Sequence, residues 1–193
     1  MASEIFRPLS MGIVGCGRIS KSHLEAVATQ PEFGRIAAIT DVDLPRAAQL
    51  AGQHGADCVA SFEAMIGRPD IDAVLLCTPN SLHAAQSIAA MRAGKHVLVE
   101  KPMAETAADA RAMAEVARQS GRVLAVAQTF RHCDAVRYIQ DHWQDFGTLL
   151  ALEVSQCVFW DGPQAPWWAT RTPDEGVILS LFAPHSLDFV QLC

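Results

Sequence analysis

Apolar residues alternate between two periods along the first two-thirds of the chain. Short unbroken runs at 8–15 (PLSMGIVG), 35–41 (RIAAITD), 72–79 (DAVLLCTP), 96–102 (HVLVEKP) and 123–130 (VLAVAQTF) predict strands, with a shorter one at 57–60. Between them, 18–29, 45–53, 62–67, 82–93 and about 106–119 predict helices. Gly94 closes the fourth of these. Thr106 can cap the fifth, with Asp109 three residues on and Gly121 just past its end. Continuous Val/Ile/Leu/Ala runs mark strands covered on both faces, so the sheet is parallel and lies between helix layers. Strands and helices alternating at this length predict a doubly wound α/β domain.

The last third changes character. A helix at about 133–143 leads through Phe146-Gly147-Thr148 into a predicted strand from Leu149 to Trp160. Leu150, Leu152, Val154, Val158 and Trp160 share one face of it, while Glu153, Ser155 and Cys157 take the other. A Pro/Trp-rich loop at 161–174 follows, and the chain reaches Cys193 within a predicted helix. One strand is not a stable sheet, so its partners are expected from another chain or from further sequence. The predicted domains are 1–131 and 132–193, the second incomplete.

Composition narrows the function classes. Half of the 193 residues are hydrophobic and 19% are charged, which excludes a disordered tail. The formal charge is −6, with lysines only at 21, 95 and 101, so no basic face for nucleic acid is expected. No apolar run approaches the roughly 18 residues of a membrane span. Glu4 precedes any apolar run, so the start does not read as a secretory signal. Cysteines at 16, 58, 77, 133, 157 and 193 show neither Cys-x-x-Cys nor zinc spacing. They read as reduced thiols of a cytoplasmic protein, with no metal site expected.

The first chemical signal is Gly12-Ile-Val-Gly-Cys-Gly-Arg-Ile-Ser20, where the first strand turns into the first helix. Gly15 permits the tight turn, Gly17 lets a pyrophosphate approach the backbone, and Arg18 and Ile19 open the helix whose free N–H groups face the phosphates. Ser20 stands at the third glycine position and is small enough for close helix–strand packing. Asp41, at the end of the second strand, suits the ribose diol of NAD and repels a 2′-phosphate, while Arg46 keeps NADP open. A glycine turn made for packing, with Asp41 as a solvated strand end, is the other reading.

Two later strand ends lie where open α/β sheets bind ligands. In Cys77-Thr-Pro-Asn-Ser-Leu-His83, Pro79 stops the strand, and Asn80 or Ser81 can cap the next helix; a turn plus a cap also explains it. In Gly94-Lys-His-Val-Leu-Val-Glu-Lys-Pro102, a charged pair ends a buried strand, and Pro102 keeps Lys101 out of helical geometry. Lys101 can serve a substrate oxygen, or Glu100 and Lys101 can form a surface ion pair.

Together with Phe146-Gly147 and His185-x-x-Asp188, these segments resemble the glucose–fructose oxidoreductase/inositol dehydrogenase family (Gfo/Idh/MocA). The resemblance implies an N-terminal NAD(P)-binding Rossmann domain and the start of a C-terminal α/β domain. That second domain is built on a large open sheet that often forms the oligomer interface. It implies hydride transfer between nicotinamide and a sugar, polyol or related compound. By the same resemblance, Lys101 lies beside nicotinamide and substrate, with Glu100 in the same segment. Thr78, Pro79, Asn80 and His83 line the cofactor site, and Gln128 faces the nicotinamide side. His185 matches the family's catalytic histidine, whereas Leu181 stands where its aspartate belongs.

The enzymatic expectation is that His185 removes the hydroxyl proton and Lys101 orients the oxygen and steadies its charge. Asp188, at i+3 from His185, can orient the imidazole or form a merely local pair. Leu181 favours a second reading, a dinucleotide-binding sensor without turnover. A third is a family fragment. Trp160, Trp167 and Trp168 suit either a sugar-stacking wall or a core.

Overall fold

The computed structural model describes residues 7–157 and 182–192. The chain divides into two compact units, Met1–Val126 and Ala127–Cys193. The division falls slightly ahead of the 131/132 boundary read from the sequence.

The first unit is a six-stranded parallel sheet. Its strands are β1 (Leu9–Val14), β2 (Gly34–Thr40), β3 (Asp57–Cys58), β4 (Ala73–Leu76), β5 (His96–Val99) and β6 (Leu124–Val126). They lie in the order β3-β2-β1-β4-β5-β6. The connections carry α1 (Arg18–Ala28), α2 (Leu44–His54), α3 (Phe62–Ile66), α4 (Asn80–Arg92) and α5 (Ala107–Ser120). The doubly wound architecture expected from the continuous apolar runs is the one observed.

Strand periodicity divides the core. Ile13, Ile39 and Leu75 pack with Leu24 of α1 and Ala47 and Ala51 of α2. Their neighbours Val14, Ala38, Val74 and Leu76 pack on the other side, with Met65, Met91 and Met113 from α3, α4 and α5. Lys95, at the start of the β5 segment, is buried, and its Nζ donates to the carbonyls of Arg68 and Ile71. Helix α5 ends as its sequence indicates. Thr106 Oγ1 accepts the Asp109 N–H at 3.1 Å, and Gly121 takes a left-handed C-cap at φ 65°.

The second unit holds α6 (Asp134–Asp141), short 3-10 turns at Thr129–His132 and Trp143–Phe146, and α7 (Ala183–Leu192). Two strand expectations are corrected here. The run 123–130 yields only Leu124–Val126 as strand, because the chain winds into the Thr129–His132 turn. Residues 149–157 form no strand, and 158–160 lie outside the described residues. Alternating side chains make a strand only where another strand supplies hydrogen bonds, and none of the described residues does so for 149–157. Leu149, Leu150 and Leu152 are exposed.

Candidate functional site

The strand order reverses between β1 and β4, whose connections leave toward opposite edges of the sheet. A crevice at the carboxyl ends of two such strands is where open α/β sheets receive ligands. The helices that begin there differ from the other helices of the first unit. Asp43 caps α2, Ser61 caps α3 and Thr106 caps α5, each accepting a backbone N–H of the first turn. The N-caps of α1 and α4 are Gly17 and Pro79, and neither gives a side-chain cap. Asn80 and Ser81, expected as caps, lie inside α4 instead, because the helix already begins at Asn80. Asn80 is buried, and its Nδ2 finds no hydrogen-bond partner among the described residues. A buried donor left so costs about 1–3 kcal/mol unless something accepts from it.

The glycine turn is built for close approach. Gly15 takes φ +96°, and its N–H donates to Thr40 O at 2.9 Å. Gly17 has open space where a Cβ would stand. Ser20 is fully buried, and its Oγ donates to Gly17 O at 2.6 Å, so the third position is both small and internally satisfied. Arg18 and Ile19 are exposed beside this turn. Asp41 is no solvated strand end, since its Oδ2 accepts the Cys16 N–H and its Oδ1 accepts the Asp43 N–H. Each oxygen keeps a further lone pair. Arg46 pairs with Asp43 at 3.5 Å.

The Thr78 and Lys101 segments are tied together from behind. His83 is fully buried, with Nε2 2.9 Å from Thr78 O and Nδ1 2.8 Å from Pro102 O. It therefore spans the ends of β4 and β5, supporting the rim rather than opening onto it. Thr78 Oγ1 donates to Gln86 Oε1 at 2.7 Å, while Pro79 forms the turn into α4. The Lys101–Pro102 peptide bond is cis. Glu100 and Lys101 are not a surface ion pair. Glu100 is buried, and its Oε1 lies 2.7 Å from His23 Nε2 on α1. Glu100 Oε2 accepts the backbone N–H of Lys101 at 3.2 Å. Lys101 is half-buried; burial pushes its ammonium below the usual lysine range, and the Glu100 charge opposes that shift.

Sequence reasoning missed His23. Its only local signal is a place in the second turn of α1, one turn beyond the buried Ser20 and beside Leu24. Burial, and secondarily Asp41, pushes the Cys16 thiol up to about 12, and burial raises Cys77 as well, so neither offers a thiolate. Among the described residues, no group of His, Cys, Asp and Glu could hold a metal ion, and no helix is long and apolar enough to cross a membrane.

Gln128 and His185 belong to the second unit. Gln128 precedes the Thr129–His132 turn, and its Oε1 is buried without a partner among the described residues. Phe130, in that turn, stacks on His185 of α7 with ring centroids 4.3 Å apart. The expected pairing of Asp188 with His185 is replaced by another. Arg131 Nε and Nη2 donate to the two Asp188 oxygens at 2.7 and 2.5 Å. The guanidinium fork matches both oxygens at once, which a single imidazole nitrogen does not. Leu181, Trp160, Trp167 and Trp168 lie outside the described residues.

The family described as "Oxidoreductase family, NAD-binding Rossmann fold" matches residues 9–128. The 1,5-anhydro-D-fructose reductase of Ensifer adhaerens is 35% identical over 175 residues, covering 88% of this chain and 52% of that protein. The WlbA dehydrogenase from Bordetella pertussis, solved with NADH and UDP-GlcNAcA, superposes with a TM-score of 0.68 at 31% identity. That match covers 72% of this chain and 43% of the other. KijD10, a 3-ketoreductase from Actinomadura kijaniata solved with NADP and TDP-benzene, gives a TM-score of 0.68 at 32% identity, covering 72% and 42%. The chain thus spans about half, or less, of the length of these relatives.

Proposed function

The chain belongs to the Gfo/Idh/MocA family of oxidoreductases, with its NAD-binding Rossmann fold, and on that premise we propose that it transfers hydride between NAD(H) and a sugar, polyol or related hydroxyl or carbonyl compound. The first unit is then the cofactor domain, and the second belongs to the substrate domain. One observation carries the reading. Among the five helices of the first unit, the two whose N-termini lack side-chain caps both open at the point where the strand order reverses.

The residues present fit the cofactor. The open position at Gly17 admits a pyrophosphate to the backbone, and the first N–H groups of α1 are available to its oxygens. Asn80 Nδ2 is a buried donor in want of an acceptor at the same crevice. Asp41 retains lone pairs for a ribose diol, and its charge disfavours a 2′-phosphate. NAD is therefore the preferred cofactor, with NADP the weaker one.

When bound, the nicotinamide accepts or gives the hydride. In the oxidising direction, His185 takes the proton from the substrate hydroxyl as its carbon gives up hydride and a carbonyl forms. Lys101 donates a hydrogen bond to that oxygen and balances the charge that develops on it. Gln128 contributes its amide on the nicotinamide side. The proposal extends to a homo-oligomer in the cytoplasm.

Calorimetric titration with NADH and NADPH tests the reading, followed by an assay of keto sugars and polyols for NADH oxidation or NAD reduction. Micromolar NADH binding with NADPH at least about tenfold weaker is expected, a margin of roughly 1.4 kcal/mol. Binding of neither overturns the proposal. Asp41→Asn keeps the volume and one acceptor oxygen but removes the charge. It is expected to weaken NADH about tenfold without weakening NADPH, which narrows the preference measured in the same titration. An unchanged ratio of the two affinities would remove Asp41 from cofactor choice.

A further inference from the structure

We propose that His23 is a positioning residue: by holding the Glu100 carboxylate against α1, it fixes the segment from which Lys101 reaches the substrate oxygen. The proposal rests on the role given to Lys101 above.

The geometry starts from Glu100. Its backbone N–H donates to Leu76 O at 3.0 Å, which continues the β4–β5 pairing one step beyond the strand. Its side chain is committed at both oxygens. Oε1 is held by His23 Nε2 at 2.7 Å, and Oε2 accepts the N–H of Lys101 at 3.2 Å. The side chains of His23 and Glu100 are only 14% and 9% exposed. His23 is thus joined through one carboxylate to a backbone position 78 residues away in sequence, on a different element.

A buried carboxylate–imidazole pair is a poor device for stability alone. Apolar residues of similar volume usually pack as well without the desolvation cost. What such residues cannot do is accept the Lys101 N–H and place a negative charge beside its ammonium. Glu100 does both, and His23 is what keeps that carboxylate aimed. The pair also links the helix whose N-terminus faces the cofactor phosphates to the segment carrying Lys101. The two halves of the crevice are thereby held in one register.

If His23 is lost, Glu100 is left buried without its donor. The Lys101 N–H then loses a firmly held acceptor, and the ammonium loses part of its charge support. Both changes make the Lys101 amine more reactive toward an acylating reagent. A fall of one unit in proton affinity alone gives about a tenfold larger free-amine fraction below the lysine pKa.

The chain has lysines only at 21, 95 and 101, so the experiment reads each separately. The folded chain, without cofactor, is acetylated at pH 8 under limiting reagent, and the rate at each lysine is followed by mass spectrometry. His23→Leu is expected to raise the Lys101 rate about five- to tenfold, with the buried Lys95 unchanged. His23→Gln, whose amide nitrogen can stand in for Nε2, is expected to stay within about twofold of the native rate. A Lys101 rate that is unchanged or slower in His23→Leu overturns the proposal. So does a rise shared with Lys95, which means general loosening, or a glutamine variant no better than leucine.

Should His23→Leu not fold, Glu100→Gln decides the matter. It keeps shape and removes charge, and an unaltered Lys101 rate there overturns the proposal equally. NADH titration of the native chain is a separate measurement. Its failure would fall on the proposed function and leave the labelling result standing.

Discussion

Gly15→Ala is expected to lower the melting temperature of the first unit by about 10 °C and to abolish NADH binding. Two costs combine. The residue sits at φ +96°, where an L side chain is strained by about 1–2 kcal/mol. Its new Cβ would stand 2.6 Å from Cys77 O, 2.8 Å from Cys77 C and 3.2 Å from Thr78 N. All three are backbone atoms at the end of β4, so no rotamer change relieves the contact. Forcing β1 and β4 apart there adds about 1–3 kcal/mol, for a total near 3 kcal/mol. At 2–4 °C per kcal/mol for a chain of this size, the shift is about 10 °C. The displacement also opens the crevice from which the cofactor is held. Gly17→Ala is the matched control. Its φ of −70° suits alanine and its Cβ meets nothing within 4 Å, so the melting temperature should stay within about 1 °C. NADH should nevertheless weaken, because the methyl fills the space through which the pyrophosphate reaches the backbone. Calorimetric unfolding and NADH titration of both variants check the pair. A Gly15→Ala protein melting like the native one would show that the turn is not built as described.

How far the sequence can be read depends on the range of the interaction. The parallel sheet is legible because each strand carries its own signal, an apolar run too continuous for a one-sided sheet. The α5 cap and its C-terminal glycine are legible because Thr106, Asp109 and Gly121 act within a few residues of the helix they bound. The glycine turn and Asp41 are legible as a family pattern, and the structure adds that Asp41 holds Cys16 N–H and Asp43 N–H.

What is not legible is partner choice across the fold. Glu100 and Lys101 are adjacent in sequence, yet the carboxylate faces His23, on another element. Asp188 lies one turn from His185, yet it binds Arg131, 57 residues earlier, because the guanidinium satisfies both oxygens. His83 reads as a lining residue by its motif, but lies fully buried between two carbonyls. The 149–160 alternation fails for a related reason. Side-chain order is local, whereas a strand requires hydrogen bonds from another segment.

Lys101→Met is expected to leave NADH affinity within about threefold and to slow hydride transfer about 10²–10³-fold, the loss typical of removing one donor to a developing oxyanion. Methionine preserves the length and apolar stem of the half-buried side chain, so the segment held by Glu100 and His83 should stay in place. Only the charge and its donors disappear. The pH dependence distinguishes Lys101 from other groups. Burial lowers its proton affinity below that of an ordinary lysine, with Glu100 opposing. In the direction of carbonyl reduction, the charged ammonium is the active form. The proton that His185 returns in this direction sets a limb of its own; the contribution of Lys101 is full below its lowered pKa and falls as pH rises through it, starting at a lower pH than an unburied lysine would allow. In Lys101→Met that alkaline limb should be absent from whatever rate remains. Steady-state rates across pH with an active keto sugar, alongside NADH titration, test both expectations. Native-like turnover in Lys101→Met would remove Lys101 from the chemistry. If the native chain binds NADH tightly but turns over none of the sugars and polyols tried, the leucine at 181 gains weight, and the sensor reading becomes the better account of a cradle that holds its cofactor without using it.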